Sequence, residues 1–255
     1  MKKLSFSLLL IALPALLSAT PVTFNDPFPG STWPTPGYDV IGALDRFDIQ
    51  KAVVSVGTTT TVDLYFNFGP NNTTLDGFAA GDGRILNVGD FFFTVNGTPA
   101  YGFALADHAG SLNSDGESGS AVTAWELYKI NSVSNGTMTA LQALGTGHSG
   151  VYRPDAIVWL HNNGSTVSSI SPYVAGTGSI TGGGDGTTNA EFHVSYSFTA
   201  SNAFVSSLGN NWGIHFASAD CGNDLLDGSK VPEPFSMVLL GSGLLGLGLL
   251  RRRAA

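Results

Sequence analysis

The chain is expected to be all-β: a single antiparallel β-sandwich, jelly-roll-like, of roughly eight to twelve strands. Three observations predict this. Apolar and polar residues alternate with period two through much of the region 38–230, turn residues separate these runs at short intervals, and no internal segment shows a long helical stripe.

The clearest strand is 62–68, where Val62, Leu64, Phe66 and Phe68 share one face. The stretch 47–56, closed by Gly57-Thr58, is expected to pair with it as a hairpin. A second hairpin is predicted from 91–95, Asn96-Gly97 and 101–105, because Asn-Gly accepts the positive φ of a tight turn. Asn163-Gly164 separates 157–160 from 167–170 in the same way. Strands are also expected at 192–198 and 212–216, a short helix at 138–144, and a mobile glycine-rich loop at 176–186. The segment 20–37, with five prolines, reads as an extended approach to one domain spanning 38–230.

Charge narrows the function. Between the basic termini only six Lys or Arg residues face 19 acids, a balance that repels nucleic acid and attracts cations. A single cysteine, Cys221, excludes a disulfide scaffold and reads as a half-buried free thiol.

Both ends carry targeting patterns. Met1-Lys2-Lys3, an apolar run over 4–17 and Ser18-Ala19-Thr20 form the three regions of a signal peptide (1–19), expected to be cleaved after Ala19 by signal peptidase. At the other end, segment 231–255, Val231-Pro232-Glu233-Pro234 precedes an uncharged apolar stretch, 235–250, then Arg251, Arg252 and Arg253. Sixteen helical residues reach roughly 24 Å, a marginal membrane span. The arginines act as a stop and stay cytoplasmic, leaving 20–234 outside. They also count against a lipid-anchor signal, which ends in the apolar tail itself. An ordinary single-pass anchor is the plainer alternative.

Motif, span and arginine cluster in that order resemble the PEP-CTERM sorting signal of Gram-negative bacteria. The resemblance implies an exosortase-type enzyme in the inner membrane that reads Pro232, Glu233 and Pro234 and releases or transfers the protein toward the cell surface or an exopolysaccharide matrix. Two prolines fix φ and exclude helix, which suits recognition of an extended strand. The centre resembles β domains of no assigned activity carried by exosortase-sorted proteins. The residues suggesting this are Tyr38-Asp39-Val40-Ile41-Gly42, Gly89-Asp90-Phe91-Phe92, Trp212-Gly213-Ile214-His215-Phe216 and Cys221-Gly222-Asn223-Asp224.

Candidate chemistry is sparse. Calcium wants several oxygen ligands, and Asp107, Asn113, Asp115 and Glu117 form one acidic loop, while Asp76, Asp82 and Asp90 form another. Neither follows the helix-loop calcium template, and Asp or Asn beside Gly also makes ordinary turns. Zinc finds no close-spaced histidines among His108, His148, His161, His193 and His215; His193 and His215 are expected at the surface or lightly packed. Trp125 beside Glu126 is the candidate glycan contact, and Trp159 and Trp212 are expected in the core. The reading is an exported, non-catalytic protein of the cell surface or extracellular (biofilm) matrix that associates with exopolysaccharide. The alternative is a secreted polysaccharide-acting hydrolase, which needs two facing carboxylates; Glu126 and Glu191 are the glutamates to test.

Overall fold

A computed structural model describes residues 20–26, 48–67, 78–79, 85–86, 88–113, 116–139, 153, 155–162, 169–182, 192–218, 222 and 224–230. The expected signal peptide and sorting tail lie outside these residues, as do the Asn163-Gly164 turn, the loop acids Asp76 and Asp82, and Cys221. Among the described residues no helix is long and apolar enough to cross a membrane.

The protein is all-β, built of antiparallel sheets. The first sheet contains β1 (Val22–Asn25), β2 (Ile49–Ser55) and β3 (Thr59–Phe66). β4 (Phe78–Ala79) pairs with β5 (Ile85–Leu86) as a short two-stranded sheet. Then come β6 (Phe91–Val95), β7 (Thr98–Phe103), β8 (His108–Asn113), β9 (Gly116–Val122) and β10 (Glu126–Ile130). A one-turn helix α1 (Val133–Gly136) leads to β11 (Thr137–Thr139), β12 (Ile157–Leu160), β13 (Ile170–Ala175) and β14 (Thr177–Gly182). The chain closes with β15 (Phe192–Thr199), helix α2 (Asn202–Leu208), β16 (Trp212–Ala217) and β17 (Leu225–Ser229).

Two sheets dominate, a five-stranded one ordered β1-β2-β3-β15-β14 and a six-stranded one ordered β13-β10-β7-β6-β16-β17. Their inward residues alternate with outward ones and share a core: Val62, Leu64 and Phe66 from β3 and Val194, Tyr196 and Phe198 from β15 pack with Phe91, Phe93, Phe103 and Phe216 of the other sheet. Phe103 and Tyr196 stack with centroids 3.9 Å apart, and Phe93 meets Phe198 edge to face at 6.4 Å.

The strand order departs from a jelly roll. There, a folded ribbon nests its pairs one inside another. Here β3 pairs with β15 and β6 with β16, so the pairs interleave. With β2 and β14 flanking one pair and β7, β10 and β17 flanking the other, the order is that of a variable-type immunoglobulin sandwich, extended by β1 and β13.

Local chemistry explains most elements. Asn96 and Gly97 sit at φ 52° and 77°, making the tight turn between β6 and β7. The β2–β3 hairpin forms around Gly57-Thr58. Helix α2 starts at Ser201, whose side chain accepts from the Phe204 N–H, and ends at Gly209 in positive φ. It buries Phe204 and Leu208 against the core.

Several expectations fail. Residues 22–25, placed in the extended approach, supply an edge strand, so the sheet begins before Tyr38. Residues 177–182, expected as loop, form β14 because every residue finds a partner on β15. Met138 lies on β11 rather than in a helix. β12 pairs with β11 and β13 with β10, so no hairpin joins the two strands beside Asn163-Gly164.

A third layer roofs the six-stranded sheet. Leu160 and Phe92 pack with Tyr128, Ile130 and Ile170, while Trp159, Val158 and Met138 pack on Ala217. The outward face of the five-stranded sheet carries half-buried and exposed residues instead.

Candidate functional site

Of the calcium loop expected around 107–117, the exposed Asp107 accepts the Ala124 N–H at 2.7 Å, so its carboxylate staples the short connection between β9 and β10. Asn113 and Glu117 are placed only as backbone of β8 and β9; their side chains and Asp115 lie outside the described residues. Asp90, of the other acidic loop, is 1% exposed and is no solvated turn residue. Its Oδ2 takes the Leu160 N–H at 2.7 Å and contacts His108 Nε2 at 3.0 Å, while its N–H donates to Val158 O. His108 stacks on Trp159 at 4.5 Å. This buried pair ties β12 and β8 to the start of β6.

Trp125 is half-buried, not a free platform. Its backbone stands at φ 62°, a costly conformation for a bulky residue, and this turns the indole toward Tyr196 and Gly178. A Cβ on Gly178 would run into the indole ring, so that face is taken. Glu126 Oε2 accepts from the Tyr128 hydroxyl at 2.9 Å. The other glutamate to test, Glu191, lies outside the described residues. Trp159 and Trp212 are buried, as expected.

His215 corrects the surface expectation. It points away from Phe216 as alternation requires, yet it is only 9% exposed because β12 covers that face. Nδ1 lies 2.6 Å from Asp227 Oδ1 and Nε2 2.6 Å from Ile157 O. Both neighbours only accept, so the ring holds two protons in this geometry. Burial pushes its pKa down, but the Asp227 hydrogen bond, the Asp227 charge and the Ile157 carbonyl together raise it.

Two arrangements were not anticipated. The first lies at one end of the sheets, where Asp26 follows β1, Asp48 precedes β2 and Asp224 precedes β17. They are 4%, 5% and 0% exposed, and one carboxylate oxygen from each lies within 4.8 Å of the others. Backbone fixes them: Asp224 Oδ2 accepts from Ile49 N at 2.6 Å and Oδ1 from Leu225 N at 2.8 Å. Asp26 N donates to Gln50 O, and Asp48 O accepts from Asn67 N. Oxygen ligands of this kind suit a hard cation. The only trace in the sequence is that each aspartate borders a strand; nothing local joins them.

The second is the outward face of the five-stranded sheet, where cross-strand register builds rows. One row runs Lys51, Tyr65, His193, Thr181; the next Val53, Asp63, Ser195, Ser179; the third Ser55, Thr61, Ser197, Thr177. Within the first, His193 stacks on Tyr65 at 4.5 Å and Lys51 Nζ sits 4.3 Å over the same ring. His193 Nε2 meets Asp63 Oδ1 at 3.0 Å and Nδ1 meets Thr181 Oγ1 at 3.4 Å. Hydroxyl, imidazole and carboxylate in line mimic a nucleophile relay. The hydroxyl contact is long, the His193 and Asp63 side chains are 36% and 29% exposed on an open sheet, and Thr181 Oγ1 instead donates to His193 O at 3.3 Å. The arrangement therefore stands as a polar cross-strand ladder.

No protein-family model matches the chain, and neither a curated protein nor a solved structure does.

Proposed function

We propose that this is an exported, non-catalytic protein of a Gram-negative cell surface or matrix. Its β region is a single immunoglobulin-like sandwich between a signal peptide and a short membrane-spanning tail. An exosortase-type enzyme processes it, and it associates with exopolysaccharide. The observation carrying this reading is the order Pro232-Glu233-Pro234, uncharged apolar span, Arg251-Arg252-Arg253. The anchor through the inner membrane is transient.

Polysaccharide association is supported by the outward rows of the five-stranded sheet. They present hydroxyls at the inter-strand spacing of about 4.8 Å, beside the stacked rings of Tyr65 and His193. Lys51 and Asp63 are the charged residues in those rows, so the face repels neither neutral nor weakly acidic glycans. It offers too little apolar surface for a membrane or a protein hot spot.

Intact mass of the protein from surface and medium fractions, beside a Glu233→Ala variant, tests the sorting. Loss of residues 1–19 and of the apolar tail is expected, with tail removal blocked in the variant. A tail kept in both sinks the reading. Co-sedimentation with exopolysaccharide, expected to fall at least tenfold for Tyr65→Ala, tests the face; equal retention rejects it.

A further inference from the structure

One carboxylate oxygen from each of Asp26, Asp48 and Asp224, all of low exposure, lies within 4.8 Å of the others. Atoms that bind one calcium ion at 2.3–2.6 Å stand no farther apart than about 5.2 Å, and these fall inside that limit.

A second observation, independent of the acids, points to the same place. Ser218 is 0% exposed and its Oγ has no hydrogen-bond partner. Its backbone N–H donates to Asp224 O at 3.1 Å, which continues the β16–β17 register past Ala217↔Leu225 and sets Ser218 opposite Asp224. Directly opposed residues project from the same face, with Cβ atoms about 5 Å apart. The register therefore aims the serine hydroxyl, a neutral oxygen ligand, at the carboxylate cluster. Leaving such a group buried without a partner is costly unless something else occupies its lone pairs.

We propose that Asp26, Asp48, Asp224 and Ser218 form a calcium site that clasps β1, β2 and β17 at one end of the two sheets. All four ligands are oxygens, which disfavours zinc. They come from strand ends on two sheets, a variable geometry that calcium accepts. Magnesium demands octahedral order and keeps several waters, for which residues at most 5% exposed leave little room. The ion joins sheet to sheet where β1 and β17 meet. The site is independent of the sorting signal and of the glycan face.

The test uses the full-length chain in mild detergent, titrated with calcium alone by calorimetry and melted with chelator or excess calcium. One calcium per chain is expected, with melting raised by about 5–10 °C at a hundredfold excess over Kd. Asp48→Asn is expected to lose the calcium rise in melting. Ser218→Ala removes only a hydroxyl, should fold normally, and is expected to weaken calcium tenfold or more. The proposal is overturned by absence of binding, by an equal response to magnesium, by a full calcium rise in Asp48→Asn, or by unchanged affinity in Ser218→Ala.

Discussion

Phe66 on β3 and Phe216 on β16 meet edge to face across the two sheets, with ring centroids 5.3 Å apart and planes at 60°. Both are 0% exposed, and Phe216 also faces Phe91 at 6.5 Å. In antibody domains with this strand order, the equivalent strands are joined by a disulfide. Here an aromatic contact takes that position. Phe216→Ala should therefore cost about 3–5 kcal/mol, read as a lower denaturant midpoint, whereas a change under about 1 kcal/mol would show that the sheets are pinned elsewhere.

Tyr196 places its hydroxyl in the core with no hydrogen-bond partner. Burial drives its pKa far up, with the Glu126 charge adding to it, so the phenol stays protonated. Tyr196→Phe keeps the stack on Phe103 and removes an unsatisfied polar group. The variant is expected to equal or exceed the parent by up to about 1–2 kcal/mol in chemical denaturation; a clear loss would reveal a partner for the hydroxyl.

The doubly protonated His215 predicts a pH dependence. Its pKa is raised on folding, so its contribution is complete below the unfolded value of about 6.5 and disappears as pH rises through the higher folded value. Deprotonation leaves either Asp227 or the Ile157 carbonyl without a donor, loosening β12 from β16. Melting followed upward from pH 6 should fall more steeply in the parent than in His215→Gln; parallel curves would remove the latch.

Gly178 predicts a different signature. Because a Cβ there runs into Trp125, Gly178→Ala must push out the indole or bend β14. A cost of about 1–3 kcal/mol and a red-shifted tryptophan emission are expected. At Gly97, which unlike Gly178 has positive φ, an added Cβ would meet nothing within 4 Å, so Gly97→Ala should show only backbone strain, about 1 kcal/mol, with emission unchanged.

Legibility followed the range of the interaction. The strands around Val62, Phe91, Phe192 and Trp212 were readable because alternation and the Asn96-Gly97 turn are properties of a few adjacent residues. β14 was not, since Thr177, Gly178 and Ser179 resemble a loop until β15 supplies their hydrogen bonds. Trp125 beside Glu126 has the chemistry of a glycan contact, but the face of Trp125 is occupied by Gly178, a residue of another strand.

The sequence by itself determined the all-β class and the hairpins around Gly57-Thr58 and Asn96-Gly97, both carried by short-range order. The tertiary structure alone decided that β3 pairs with β15 and β6 with β16, and that β12 roofs His215. It also brought Asp26, Asp48 and Asp224 to one place and set Ser218 opposite Asp224. Each of those outcomes depends on which distant strands bury each other's apolar faces, a choice made by packing across the whole domain and invisible to any local window.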